Sequence, residues 1–369
     1  MSDRIPLSVP DLRGNEAAYL AQCVADNWVS SAGPFIGDCE DRLATLTGRA
    51  HAVATVNGTA ALHLALLGAG IQPGDFVIVP DWTFAATANA VFHAGARPVF
   101  VDVTDATWSL DPALVERVLN DPPGRIAAVI AVHPLGHPAD VDPLALLCKR
   151  AGVPLIEDAA GALGARYKDR PVGGLGDIAI FSFNGNKTVT AGGGGMVVTD
   201  DNGRAKRLRH LTTQARVGAD YMHDAIGFNY RMTNINAGVL LAQLERLDDM
   251  LAAKREIAAG YDAALAGRED LCPMPRADWA VSSNWLYSVR CNNEAKASAL
   301  VGHLNDSGIE ARIFWRSLSP QPPYAGGPVM LSGVAAALSG TVVSLPSSSS
   351  LGADAQARVI EALGAWGRQ

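Results

Sequence analysis

The chain has 369 residues, of which 49% are hydrophobic and 18% charged, and it carries a formal net charge of -7. That length exceeds what a single core fills, about 250–300 residues, so two domains are expected, and the apolar content excludes a disordered chain. The acidic balance, with no dense Lys/Arg run, argues against nucleic acid as a partner, and no apolar run reaches the length of a membrane span.

The opening stretch MSDRIPLSVPDLRGNE has no apolar segment of the kind a secretory signal carries. Five cysteines (Cys23, Cys39, Cys148, Cys272 and Cys291) show no C-x-x-C spacing, and their number is odd. Both features point away from a disulfide framework or a metal site, towards a reducing, cytoplasmic compartment. From about residue 50 to 200, apolar strands alternate with amphipathic helices. Residues 60–67 (AALHLALL) predict a helix, 76–79 a buried strand, 84–93 a helix, and 98–101, 126–132 and 153–156 further strands. This pattern predicts an α/β fold with a mostly parallel sheet sandwiched by helices, whose ligands lie at the carboxyl ends of the strands. The basic cluster 204–209 predicts a solvated helix face. Residues 236–265 predict one long helix or a broken pair, leading into a smaller α/β C-terminal domain. The expected division is a large domain over 1–245, with the first ~20 residues packing elsewhere, and a linking helix and small domain over 246–369. Residues 285–289 predict a strand, and 319–324 a Pro-rich loop.

Three constellations carry chemistry. In Thr55-Val56-Asn57-Gly58-Thr59-Ala60-Ala61-Leu62 a small polar turn opens a helix, which suits an anion or an ordinary N-cap. In Pro154-Leu155-Ile156-Glu157-Asp158-Ala159-Ala160 an apolar strand ends in two acids, and Asp158 suits a cationic ring nitrogen or a turn. In FSFNGNKTVTAGGGG (181–195), Lys187 stands between a polar turn and four glycines. A lysine shielded from water becomes a nucleophile towards aldehydes, although the same residues suit a surface loop. Ser182 sits where a hydroxyl reaches a phosphate. Together these are the parts a pyridoxal 5'-phosphate enzyme needs: a Schiff-base lysine, an aspartate that keeps the ring nitrogen protonated, and a phosphate cup. Phe84, in Trp82-Thr83-Phe84-Ala85, suits stacking on the ring or a place in the core.

NGTAALHLAL (57–66), PDWTFAATANAVFHAGARPVFVDV (80–103), EDAAGALGARY (157–167), GDIAIFSFNGNKTVTAGGGGMV (176–197) and GFNYRMTNINAGVLLAQLERLD (227–248) occur in this order. The series resembles the DegT/DnrJ-type nucleotide-sugar aminotransferases over nearly the whole chain. FNGNK followed by four glycines is most similar to the branch that aminates C4 of UDP-linked 4-keto-6-deoxy-N-acetylhexosamines. The resemblance implies a fold-type I aminotransferase, a homodimer with a shared active site, a nucleotide-sugar substrate and L-glutamate as donor, serving glycan biosynthesis. It implies Lys187 as the Schiff-base lysine and Asp158 as the ring-nitrogen partner. Gly58, Thr59, Ala60 and Ser182 correspond to residues around the phosphate, and Phe84 to the stacking aromatic. Asn229 corresponds to a phosphate ligand given by the neighbouring subunit, with Arg231 ordering its loop; capping and pairing at a helix start is the alternative. A GDP-linked 4-keto sugar, a C3-keto sugar and a non-catalytic cofactor-binding paralogue are the alternatives for function. Two positions depart from the family. Gly161 stands where Gln, His or Glu is common, which removes a hydrogen bond or admits a water or a larger substrate. Ser319 stands where many relatives have His.

Overall fold

Consecutive residues of the strands between 51 and 199 face two different apolar layers, which explains runs such as IAAVIAV that show no polar alternation. The structure, a computed structural model, describes residues 4–366. One sheet has eight strands, in the order 51–55, 195–199, 178–182, 155–158, 126–132, 76–80, 97–101 and 329–330. Only the Gly195–Thr199 strand runs against its neighbours. Val79, Ile130, Ile156 and Ile180 pack towards the helices Gly58–Gly68, Ala85–His93 and Asn202–Thr212. On the other face, Ile78 and Val129 meet the helices Pro112–Asn120 and Val141–Ala151. Ala179 and Phe181 meet the helices Pro34–Thr47 and Asn234–Glu245. Each of these Val, Ile and Phe side chains, fully buried, stabilises the sheet by about 1.5–3 kcal/mol.

The chain runs from the 76–80 strand out to 97–101, then crosses back to 126–132 on the opposite side. That reversal opens a crevice at the carboxyl ends of the strands, where ligands bind in such sheets.

Element ends move for local reasons. The first helix of the alternating region begins at Gly58 rather than 60, because the Asn57 side chain accepts the Ala60 N–H at 2.8 Å. The expected 153–156 strand is Leu155–Asp158, so both acids belong to it. The 236–265 region is a broken pair, Asn234–Glu245 and Leu247–Leu265, meeting at Arg246, whose guanidinium pairs with Asp11. The basic cluster is only partly a solvated face. Lys206 and Arg207 are exposed, whereas Arg204 donates to the carbonyls of Gly68 and Asp177 and Arg209 pairs with Glu40.

A second, four-stranded antiparallel sheet has the order 271–273, 287–291, 342–345 and 312–313. Tyr261, Leu300, Val343 and Val359 form its core with the helices Leu247–Leu265, Glu294–Asp306 and Ala353–Ala365. Its Tyr287–Cys291 strand begins two residues after the expected 285. Sequence order and spatial order part company here. Ile5 joins this second core and bridges to Ile309. Val329–Met330 instead pairs with Phe100 and Val101 at the edge of the large sheet. Among the described residues no helix is long and apolar enough to cross a membrane, and no group of three His, Cys, Asp or Glu could hold a metal. The five cysteines are unpaired thiols.

Candidate active site

The carboxyl ends of the strands open on a cavity of about 470 Å³, closed on its far side by residues of the second sheet. Lys187, Asp158, Gly58, Thr59, Ser182 and Phe84 all line it. Side-chain alternation along the Leu155–Asp158 strand separates its two acids. Asp158 faces the cavity, while Glu157 turns away and accepts N–H groups from Gly173, Leu175 and Gly176. Asp158 is buried; its Oδ2 accepts from Thr87 Oγ1 at 2.8 Å and its Oδ1 from Ala160 N at 3.2 Å. Burial raises its carboxyl pKa above the ordinary value, opposed by these hydrogen bonds and by the charge of Lys187. A carboxylate in that setting gains most from a cationic partner.

Lys187 follows the Ile178–Ser182 strand in a tight turn, its N–H donating to Asn184 O at 3.0 Å. As a residue it is half-buried, and its amine lies within the cavity, 3.4 Å from the centroid of the Trp285 ring. Burial lowers the amine's pKa to about 7, with the Asp158 charge opposing.

The anion cup sits where three chain segments converge. Pairing of Gly195 with both Thr55 and Ser182 brings the Gly195–Thr199 strand against the start of the 58–68 helix. A Cβ at Gly195 would lie 2.5 Å from the Asn57 carbonyl oxygen, and one at Gly58 would lie 2.7 Å from Ser182 Cβ. Close backbone approach is therefore what these two glycines provide. The first N–H groups of a helix lack intrahelical partners. Ala60, also expected around the phosphate, is placed apart from the others: its N–H goes to Asn57 and it does not line the cavity. Gly58 and Thr59 keep their N–H groups for a ligand, beside the hydroxyls of Thr59 and Ser182. Phe84, the residue before the Ala85–His93 helix, is 61% exposed at the rim. It is therefore not a core aromatic.

Asn229 lies outside the cavity of its own chain; it is exposed and bridges to Thr213. Arg231 pairs with Glu40 at 2.6 Å and lies against Thr55, and Val56 N–H donates to Tyr230 O. Arg231 thus orders the 227–231 segment, while Thr233 caps the next helix. At Gly161 the place a side chain would take is filled by an indole: a Cβ there would meet Trp285 Cε3 at 2.4 Å. Ser319 donates its N–H to Asp81 Oδ1 at 2.7 Å and does not line the cavity.

Sequence reading missed Thr87, His133, Trp285, Arg312, Phe314 and Trp315, all of which line the cavity. Thr87 was within reach, since it follows Phe84 by one helical step. The other five depend on chain segments distant in sequence coming together. His133 Nδ1 accepts from Ala139 N at 2.9 Å, which leaves Nε2–H for Glu157 at 3.2 Å.

A planar group with a phosphate at one end, a cationic ring nitrogen at the other and an aldehyde between them fits this donor set. The fit rests on the two N–H groups at the helix start, the raised Asp158 carboxyl and the lowered Lys187 amine.

A family model described as the DegT/DnrJ/EryC1/StrS aminotransferase family matches residues 10–364. EpsN of Bacillus subtilis (strain 168), provisionally described as a pyridoxal phosphate-dependent aminotransferase, is 39% identical over 98% of this chain and 96% of its own. The GDP-perosamine synthase of Caulobacter vibrioides is 41% identical over 88% of each chain. The crystal structure of DesV from S. venezuelae superposes with a TM-score of 0.90 at 35% identity, covering 100% of both chains.

Proposed function

The chain belongs to the DegT/DnrJ/EryC1/StrS aminotransferase family and is a pyridoxal phosphate-dependent aminotransferase, and on that premise we propose that it aminates C4 of a nucleotide-linked 4-keto-6-deoxy sugar, using L-glutamate as donor and Lys187 as the catalytic amine. The observation that carries the reading is the convergence of Lys187 and Asp158 on one cavity beside the free helix start at Gly58 and Thr59. When bound, pyridoxal phosphate supplies the electron sink that makes the donor's Cα–H acidic. Lys187 would hold the cofactor through its side-chain amine. Once displaced, its amine would take the donor's Cα proton and pass it to the carbon that had held Lys187 in the first half-reaction, and in the second would take a proton from that carbon and deliver it to sugar C4. A lysine pKa near 7 suits both tasks at neutral pH. Asp158 would hold the proton on the ring nitrogen, and Thr87 fixes the Asp158 carboxyl. Gly58, Thr59 and Ser182 would bind the phosphate, and Phe84 would cover the ring.

A homodimer is part of the proposal. Asn229 does not line the cavity of its own chain, and the neighbouring 216–226 segment exposes Tyr221, Met222 and Ile226 at 74%, 62% and 89%. A partner subunit covering that apolar surface would bring Asn229 to the phosphate. For the nucleotide, relatives named GDP-perosamine synthase favour a GDP-linked sugar over the UDP-linked acetamido sugar expected from the FNGNK motif.

The test supplies L-glutamate with a panel of GDP- and UDP-linked 4-keto-6-deoxy sugars and a C3-keto sugar, and follows 2-oxoglutarate and amino-sugar formation. Amination of a 4-keto sugar by the native chain, lost by more than about a thousand-fold in Lys187→Ala, is expected. 2-Oxoglutarate release without an amino sugar from any member would sink the substrate assignment. Failure to release it at all would leave a cofactor-binding paralogue.

A further inference from the structure

We propose that Trp285 is a positioning residue for Lys187: its indole, seated in the space that Gly161 leaves, receives the lysine amine on its face and holds it at the cavity wall whenever that amine is free. The inference rests on Lys187 being the covalent lysine. Lys187 Nζ lies 3.4 Å from the Trp285 ring centroid, well inside the range in which an aromatic face attracts an ammonium.

Trp285 and the segment that carries it are held from four sides. Its Nε1–H donates at 2.7 Å to the carbonyl of Asn186, the residue before Lys187, so ring and amine are referenced to the same turn. The Trp285 carbonyl accepts from Lys254 Nζ at 3.1 Å, and Lys254, buried at 3% exposure, donates its second bond to Ser347 O at 2.5 Å. Ser283 ties the preceding segment to the large sheet, N–H to Gly136 O at 3.0 Å and Oγ to Gly161 O at 3.1 Å. On the last side a Cβ at 161 would meet Cε3 at 2.4 Å, so glycine is the residue that lets the indole take this place. The departure at Gly161 and the aromatic at 285 are therefore one feature: a polar side chain against the cofactor is exchanged for an aromatic platform under the lysine.

This has a consequence for catalysis. In each half-reaction the lysine is displaced and must stay within reach of the same carbon. A flat apolar surface that attracts the protonated amine keeps it near without a competing anion. The other charged or titratable groups lining the cavity are Asp158 and His133 from the large sheet and Arg312 from the edge of the second sheet.

The experiment uses the full chain. Borohydride reduction of the holoenzyme, followed by mass spectrometry, identifies the lysine that carries the cofactor. Amine labelling of the cofactor-free chain across pH, read on the Lys187 peptide, gives the titration of that amine. In Trp285→Leu the ring's support for the charged form is lost, and Lys187 is expected to become reactive at a pH lower by roughly half to one and a half units. Trp285→Phe, which restores an aromatic face, is expected to recover most of that shift. Gly161→Ala, which keeps the indole and displaces it, is expected to shift Lys187 in the same direction. It decides the matter alone if Trp285→Leu does not fold. A Lys187 titration unchanged in both Trp285→Leu and Gly161→Ala overturns the role of Trp285. Cofactor trapped on no lysine, or on one other than Lys187, in the native chain overturns the functional reading itself, a separate result.

Discussion

Thr87 decides how well Asp158 serves, although the two are distant in sequence. The hydroxyl reaches the carboxylate at 2.8 Å from the helix after Phe84, and a second hydroxyl, Thr83 Oγ1, lies 3.2 Å behind it. A hydrogen bond to a charged group is worth about 1.5–3 kcal/mol. Thr87→Val is therefore expected to lower kcat/KM by about ten- to a hundred-fold and to weaken cofactor binding, while Thr87→Ser stays within about three-fold of the native chain. Steady-state kinetics and cofactor titration check this, and a Val variant with native kinetics would remove Thr87 from the site. His137 is a second residue whose two nitrogens are both committed. Nδ1–H donates to Pro138 O at 2.7 Å, and Nε2 accepts the N–H of Ala277 at 3.1 Å. Protonation would set one N–H against another, and burial already lowers the pKa to about 4.

The start of the Gly58–Gly68 helix combines two functions in adjacent residues. Asn57 caps it by accepting the Ala60 N–H, and so leaves the N–H groups of Gly58 and Thr59 for an anion. Asn57→Ala is expected to cost about 1 kcal/mol of stability in chemical denaturation. It should also weaken binding of pyridoxal phosphate more than that of pyridoxal, which has no phosphate. Equal weakening of both ligands would show that the cup is not at this helix. The glycine run supplies the other wall. Gly195→Ala places a Cβ 2.5 Å from the Asn57 carbonyl, a contact with backbone that no side-chain rotation relieves. Loss of cofactor affinity by at least about ten-fold is expected, from a strand pushed off the helix start. Affinity within two-fold of native would show that the two segments separate without cost to the site.

The cavity belongs to the molecule rather than to either sheet, since the Arg312–Trp315 stretch and Trp285 close what the large sheet opens. His137 contributes to that junction by joining the segment after the 126–132 strand to residue 277, just ahead of the second sheet's 287–291 strand. Its folded pKa lies below the ordinary histidine value of 6.5, so the unfolded chain binds the extra proton first. Its stabilisation is complete above about pH 6.5, declines as pH falls and levels off below about 4. The full difference amounts to roughly 3 kcal/mol. Denaturant unfolding at stepped pH should show stability falling over that window, with the slope reduced by up to one proton in His137→Asn. An unaltered slope would place the acid sensitivity elsewhere. At the same scale, light scattering is expected to give twice the chain mass, and Ile226→Asp to shift the protein towards monomer with loss of cofactor affinity. A native monomer with full activity would refute the shared site.

Sequence alone determined the strand-and-helix alternation, the mostly parallel sheet, and six of the expected residues, Gly58, Thr59, Phe84, Asp158, Ser182 and Lys187, that line one cavity at the carboxyl ends of the strands. It could do so because each rests on local chemistry: an apolar run, a capping turn, a lysine beside glycines. That the Ala60 N–H goes to Asn57 was not legible, because a cap's hydrogen bond depends on a rotamer, which composition does not specify. Asn229 lies outside the cavity of its own chain, and in the proposed dimer it is a second chain that it would serve. Trp285 and the Phe314–Trp315 wall were invisible for a different reason. Their place depends on Ser283 binding Gly136 and Gly161, and on Lys254 binding Trp285, contacts between segments more than 30 residues apart that form only when the two sheets pack. Tertiary structure therefore decided how the space beside Gly161 is used, because a missing side chain in one segment has no meaning until another segment fills it.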